Sequence, residues 1–417
     1  MSRAIWMTVG LCLVGLAWLS TAPVFAQTKI KWKKVVLDES FRSEGVAVFD
    51  VNKDGKNDVV AGEVWYENPT WKIHKIRKSG PVKGDRNRSE TYDPKQYSNS
   101  FCCWGDDINK DGWVDLIVIG FPGFPCYWYE NPKNETEVWK EHMIWHSACN
   151  ETPQYADLFG TGQRVIVMGW KAKKGNAHQM AWFAPGKNPN DLWEMHPISE
   201  PTNGGRGIGA FRFSHGLGVS DVNGDGRRDV ICTEGWWEQP KDVKDQPWKY
   251  HRVNLGPACA DMHAYDIDGD KVNDILTSSA HNFGIWWHRQ NPKKLRTGFV
   301  RRTLFEKLFS QSHALHVVDV DGDGDKDLVT GRLRSAHGGR DPGGMQPPVL
   351  YWFEAKKNTD GSITFVPHKI DDDSGIGTQF QVMDFDGDGD PDIIVANKRG
   401  VFVTLQIRPA EVSGRKE

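Results

Sequence analysis

Asp50-Val51-Asn52-Lys53-Asp54-Gly55-Lys56-Asn57-Asp58 is the stretch that decides the fold, because the chain writes it again and again. It returns from Asp107 to Asp115, Asp221 to Asp229, Asp266 to Asp274, Asp319 to Asp327 and Asp384 to Asp392. A decayed copy, Asp157-Leu158-Phe159-Gly160-Thr161-Gly162, stands between the second and third good ones. The seven first aspartates are 45 to 65 residues apart, a spacing that marks a repeat architecture. Working outward, an alternating run precedes each loop and an apolar run follows it, such as Asp58-Val59-Val60-Ala61 or Asp115-Leu116-Ile117-Val118-Ile119. Next comes an aromatic strand ending in a turn, as in Trp65-Tyr66-Glu67-Asn68-Pro69 and Trp128-Tyr129-Glu130-Asn131-Pro132. A last strand carries His, as in Trp71-Lys72-Ile73-His74 and Trp139-Lys140-Glu141-His142. Four strands per repeat and no helical period predict an all-β, seven-bladed β-propeller. The last repeat has only three strands of its own, and Lys31–Leu37 reads as a strand without a blade. It is expected to complete blade 7 and so remove a free sheet edge.

The rest of the chain bounds the class. Of 417 residues, 38% are hydrophobic and 26% charged, with a mean hydropathy of −0.57, an ordinary soluble balance. A net charge of −3 argues against a generally basic nucleic-acid binder. Arg3, the apolar run Met7–Leu19 and the Val24-Phe25-Ala26 end read as a secretion signal over 1–26. That run is short of the ~20 residues a membrane span needs. The expected organisation is a cleaved leader, a propeller over 27–408 and a disordered tail over 409–417. The protein is expected to be secreted or periplasmic and free of the membrane after cleavage. Six cysteines remain beyond Cys12, an even number that permits disulfides without indicating their pairing.

The repeated loops suit calcium, which takes six to eight oxygen ligands. Positions 1, 3, 5 and 9 supply side-chain oxygens: Asp50, Asn52, Asp54 and Asp58; Asp107, Asn109, Asp111 and Asp115; Asp221, Asn223, Asp225 and Asp229. The later loops supply Asp266, Asp268, Asp270 and Asp274; Asp319, Asp321, Asp323 and Asp327; Asp384, Asp386, Asp388 and Asp392. Position 12 is Ala61 in the first loop, where an EF-hand needs Glu. Up to six structural calcium sites are therefore expected, with the loop at Asp157 metal-free and the loop at Asp266 weakened by Lys271. These loops and their apolar strands resemble FG-GAP or VCBS repeats, as in the integrin α-subunit propeller, over roughly residues 30–407.

Topology places the long connections at the face opposite the Asp loops, and long loops gathered on one rigid face carry function. Glu44, Glu151, His215 and His313 stand six residues before their loops, and Glu234 and Arg332 thirteen after, with Lys171, His281, Arg334 and Lys398 just beyond such positions. Neighbouring imidazoles with a carboxylate suit zinc or another divalent transition metal. The candidate ligands are His215, His263 and His313, supported by Asp261, His316 or Glu151. Glu234 or Glu44 is the candidate acid or base, while Arg332 and Lys171 are candidates to hold an oxyanion. An ideal strand points offsets of three and six to opposite faces, so His263 needs a bulge to join His215 and His313.

Calcium loops, Trp-Tyr-Glu-Asn-Pro turns and axial histidines together are similar to the propeller domain of the aldos-2-ulose dehydratase family. That resemblance implies a metal in the propeller and removal of water from keto-sugars, with His215, His263 and His313 at the ligand positions. The chain has no room for that family's cupin domains. The expected function is a metal-dependent carbohydrate lyase or dehydratase. The alternatives are a non-catalytic propeller binding glycans, proteins or another extracytoplasmic ligand, and a metal-free uronate polysaccharide lyase using Arg332, Arg334 and Lys171.

Overall fold

A computed structural model describes residues 30–135, 138–202 and 208–408. The expected leader, the tail and part of the glycine run at 203–209 lie outside them. The chain forms seven four-stranded antiparallel sheets arranged as the blades of a propeller. Blade 1 runs Ala47–Phe49, Asp58–Ala61, Val64–Glu67, Lys72–Lys75, from the innermost strand outward. The other blades repeat this order. Lys31–Asp38 pairs antiparallel with Gly400–Ile407 and supplies the outer strand of blade 7, as expected. Among the described residues no helix is long and apolar enough to cross a membrane.

The core is a set of clusters between blades. Each second strand is buried on both faces, which is why it reads as a continuous apolar run. Val60 packs with Leu116, Val118 and Tyr129 of blade 2. Its neighbours Val59 and Ala61 face the other way, against Ile394, Ala396 and Val403 of blade 7. Adjacent Cys102 and Cys103 likewise enter different clusters. All six cysteines of the described residues are buried and unpaired.

One clasp recurs at the Asp-loop face. The ninth-position Asp starts the second strand, and both of its oxygens are bonded within the blade. Asp58 accepts Val51 N–H (3.0 Å) across the loop and Asn68 N–H (2.8 Å) from the end of the third strand. Asp115, Asp229 and Asp392 are held in the same way. The residue that closes the clasp then ties one blade to the previous one. Asn131 Nδ2 donates to Val51 O (3.0 Å), Gln239 Nε2 to Leu158 O (2.9 Å), Gln290 Nε2 to Val222 O (3.0 Å) and Gln406 Nε2 to Val320 O (3.1 Å).

The outer-strand histidines belong to the repeat and are partnered within their own blade. His74 stacks on Trp65 and bonds Glu67 (2.7 Å); His142 on Trp128 with Glu130 and His251 on Trp236 with Glu238 repeat the arrangement.

Replacing Gln290 by Ala leaves the Val222 and Asn273 carbonyls, which its amide now serves, without that donor. We expect Gln290→Ala to lower unfolding stability by roughly 1–3 kcal/mol in urea titration, with an unchanged m-value. No loss would show that the amide staples are not a stabilising link between blades.

Candidate functional site

Four blades send one side chain each to a single point at the mouth. Glu151 comes from the inner strand of blade 3, Cys149–Ala156, where the register shifts between Cys149 and Gln154. His215 precedes the inner strand of blade 4, Leu217–Ser220, and Thr233 Oγ1 holds its carbonyl (2.7 Å). His313 precedes the inner strand of blade 6, Leu315–Val318, beside a hydroxyl chain of Ser278, Ser312 and Thr330 with links of 2.8 and 2.6 Å. His281 follows the second strand of blade 5, Asp274–Ser278.

One ligand atom from each of these four residues lies within 4.8 Å of the others. His215 Nε2 is 3.2 Å from Glu151 Oε2 and 2.7 Å from His281 Nε2, and His313 Nε2 is 3.5 Å from the same carboxylate oxygen. The opposite ring nitrogens of two imidazoles are committed. His215 Nδ1 faces Phe213 O (3.1 Å) and His281 Nδ1 faces Asp341 Oδ2 (3.0 Å), both acceptors. With their protons on Nδ1, His215 and His281 turn bare Nε2 lone pairs toward each other and toward a carboxylate. Such a concentration of acceptors calls for a cation or a shared proton at the centre.

The electrostatics show the same demand. Burial raises the Glu151 carboxyl, but His215, with His313 and His281 behind it, outweighs this and holds it at about 2. Burial lowers His215, yet the facing Glu151 raises it above its ordinary value. His313 is pushed well down by burial and by repulsion from His215.

A connection of blade 6, residues 334–348, straps across this mouth. It brings Asp341 to His281, and it brings His337, whose Nδ1 lies 3.0 Å from Asp341 Oδ1 and whose ring stacks on His281 at 4.5 Å. His337 N–H donates to Tyr97 Oη (2.8 Å) from the connection between blades 1 and 2. Phe121 packs against Tyr97, Phe124 and Phe213, and Arg212 lies over Phe121, Phe124 and Phe213. Phe213 is 43% exposed.

The sequence-derived candidates divide. His215, His313 and Glu151 meet as expected, and the fourth member is His281. His263 and His316 do not join them: their Nε2 atoms bond Leu315 O (3.1 Å) and Phe380 O (2.9 Å), in keeping with the opposite pointing of offset three. Asp261 is held by Gln154 Nε2 (2.9 Å) and Leu315 N–H (3.2 Å), and burial pushes it up to about 7. Glu44 is sealed against the Ser98 hydroxyl and amide, and burial, against the pull of Lys398, raises it to about 7. Glu234 is exposed on the turn after Asp229–Cys232 and is not among the four converging residues. Lys171 ends the second strand of blade 3, where Ser147 and His146 bond its backbone. Arg332 is buried beneath the strap.

In the Asp loops, three carboxylates converge within 4.8 Å at Asp266, Asp268 and Asp270, at Asp319, Asp321 and Asp327, and at Asp384, Asp386 and Asp392. Loops one, two and four place Asn52, Asn109 and Asn223 at the third position. In the fifth loop the Arg289 guanidinium already sits on Asp268 (2.6 Å) and Asp270 (2.8 Å). In the decayed third loop Arg228 lies 3.3 Å from Asp157.

The FG-GAP-like repeat family model matches residues 266–330, from the fifth Asp loop through most of the second strand of blade 6. No curated protein sequence matches the chain. A solved structure described as the basis of specific recognition of non-reducing terminal N-acetylglucosamine by an Agrocybe aegerita lectin is similar at 15% identity and a TM-score of 0.41. The match covers 91% of this chain and 86% of that one.

Burial and repulsion from His316 push His263 down to about 4 from an ordinary 6.5. Between these values the unfolded chain binds a proton that the fold refuses. The stabilising effect of a neutral His263 is complete above pH 6.5 and is lost as pH falls toward 4. The stability advantage of the native chain over His263→Gln should therefore shrink by about 2–3 kcal/mol between pH 7 and pH 4.5. A constant difference in denaturant titrations at the two pH values would count against it.

Proposed function

We propose that the chain is an exported, calcium-stabilised propeller whose mouth holds one divalent transition metal and acts on a carbohydrate as a carbon–oxygen lyase. The observation that carries this reading is the pair of Nε2 atoms of His215 and His281. They are 2.7 Å apart, face Glu151, and have both Nδ1 atoms engaged elsewhere. Three imidazoles and one carboxylate suit zinc or a neighbouring first-row ion. The buried His313 Nδ1, which has no partner, leaves this ring free to adjust to an ion. When bound, such an ion polarises a substrate carbonyl or hydroxyl oxygen.

The protein's own groups supply the rest. Asp341 orients His281 and His337 together. The ring of His337 is half-exposed, and its Nδ1 rests on that carboxylate, so its Nε2 is available to take a proton beside a carbonyl. The wall of Phe121, Phe124 and Phe213 offers apolar faces to a sugar ring. Glu44 is bonded to Ser98 and Glu234 is outside the converging group, so in this reading His337 takes the role expected of them. The exposed Phe213 beside Arg212 also favours a second reading, a glycan-binding mouth without catalysis.

Elemental analysis after mild chelation should find about one zinc, manganese or iron per chain, lost in His215→Ala/His313→Ala while calcium stays. Calcium alone, unchanged by those substitutions, would sink the metal reading. In a keto-sugar elimination assay, His337→Gln should lower kcat by roughly 10²- to 10⁴-fold with the transition metal retained. Unchanged sugar binding with no turnover in either chain would favour the glycan-binding reading. Calcium removal should lower the melting temperature, since a site of Kd ~0.1–1 mM adds about 1.4 kcal/mol at ten times that concentration. An unchanged melting temperature would remove calcium from the account.

A further inference from the structure

The histidine centre leaves a buried guanidinium at the mouth unexplained. Three arginines among the described residues are buried: Arg77, Arg88 and Arg332. Arg77 pairs with Glu63, and Arg88 with Glu141 and Asp85. Arg332 is 1% exposed, and no carboxylate lies within ion-pairing distance of it among the described residues. Its Nη1 donates to Gln346 Oε1 (3.1 Å), while Nε and Nη2 are buried without any partner.

The two free nitrogens form one edge of the guanidinium. That edge presents two parallel N–H groups, the geometry that receives both oxygens of a carboxylate. A buried charge left unpaired is unfavourable, so a site that retains one has a use for it or a missing partner.

The surroundings point to the same ligand. Arg332 follows the second strand of blade 6, Asp327–Gly331, and its backbone is anchored by Val349 O (2.8 Å) and Ile376 N–H (3.3 Å). Gln346 belongs to the strap that carries Asp341 and His337 to the histidine centre. Ser310 Oγ is buried without a partner and is a neighbour of Gln346. A Cβ on Gly343, which lies in the left-handed region, would stand 2.7 Å from Ser310 Oγ and 3.2 Å from Gln346 Oε1. The unpartnered Ser310 hydroxyl and the guanidinium of Arg332, through Nη1, both lie by the 343–346 part of the strap.

We infer that Arg332 receives the carboxylate of the ligand, and that the mouth takes a sugar acid rather than a neutral sugar. Gln346 steadies the guanidinium, Ser310 Oγ offers a further donor, and entry requires the 343–346 part of the strap to move aside. The inference rests on the proposed reading of the mouth as a carbohydrate site.

The test uses D-galacturonate, D-galactose and acetate at matched ionic strength, by calorimetric titration and thermal melting of the full chain. Native protein should bind D-galacturonate about tenfold or more tightly than D-galactose, the effect of charged hydrogen bonds. Arg332→Gln should bring the two sugars to within about twofold of each other, and Arg332→Lys should fall between. Without ligand, Arg332→Gln should melt no lower than the native chain, because it removes an unpaired buried charge. A marked drop would assign Arg332 a structural role and overturn the inference. Equal binding of the two sugars, or a preference unchanged in Arg332→Gln, would also overturn it, while the carbohydrate reading would stand. If neither sugar binds, acetate decides. Stabilisation of the native chain but not of Arg332→Gln keeps the carboxylate receptor and removes the carbohydrate reading. Stabilisation independent of Arg332, or none, removes the receptor.

Discussion

The buried aspartate that starts a second strand is the constraint from which the ring is built. It accepts one N–H from its own loop and one from the end of the third strand, as Asp58 does from Val51 and Asn68. Loop, second strand and third strand are thereby fixed together at one end of the blade. The side-chain amide of the residue that closes a clasp then reaches the previous blade, as Asn131, which closes the clasp on Asp115, reaches Val51 O. A local requirement, that no buried donor or acceptor remain unpaired, becomes a rule for placing one blade beside another. The same carboxylates resist being charged. Burial and neighbouring loop aspartates raise Asp58 and Asp392 to about 6 and Asp229 to about 7. A cation in the loop reverses that tendency, which is the physical argument for calcium. The third loop supports it from the other side. It has lost its ninth-position carboxylate to Val165, and it has Arg228 beside the aspartate that remains.

A rigid ring sets the conditions for the mouth. Glu151, His215, His281 and His313 come from four consecutive blades, so no single hairpin can bring them together. Their convergence is fixed by the angle between blades, and blade contacts far from the mouth hold it in place. This separates two kinds of histidine that composition alone treats alike. His74, His142 and His251 stack on Trp and bond Glu within one blade, and each is a repeat part. The mouth histidines have no such repeat partner, and their polar atoms meet one another.

The legible part of the sequence was the part written in a period. The seven loops, the two-sided apolar strands and the orphan strand Lys31–Asp38 all follow from regular spacing, and each is found where that spacing put it. The period also reached into the mouth: offset six selected Glu151, His215 and His313, but His263 and His316, at offset three and also taken as candidate ligands, point elsewhere. What it did not select comes from outside the period. His281 lies in a turn past the second strand, and the sequence marked it as near the mouth without a ligand role. Asp341 and His337 lie in the 334–348 strap, which has no counterpart in the other blades. Positive φ at Ser335, His337, Gly338 and Gly339 turns that segment tightly, in a way no spacing rule describes. Glu234 failed for a different reason. Offset thirteen places a residue at the mouth end of a blade without fixing its radius, and here the residue is exposed.

The two polar features of the mouth differ in the kind of compensation they lack. The histidine centre has too many acceptors and calls for positive charge. Arg332 has unpaired donors and calls for negative charge. Had the two been in contact, each would have satisfied the other, as Arg77 and Glu63 do deep between blades 1 and 2. Instead the strap stands with both, holding Asp341 on His281 and Gln346 on Arg332. A ligand that offers an electron-rich oxygen at one end and a carboxylate at the other complements both at once. Neither demand is met by the ring alone, and one ligand that completes both gives the mouth a reason to keep them apart and open.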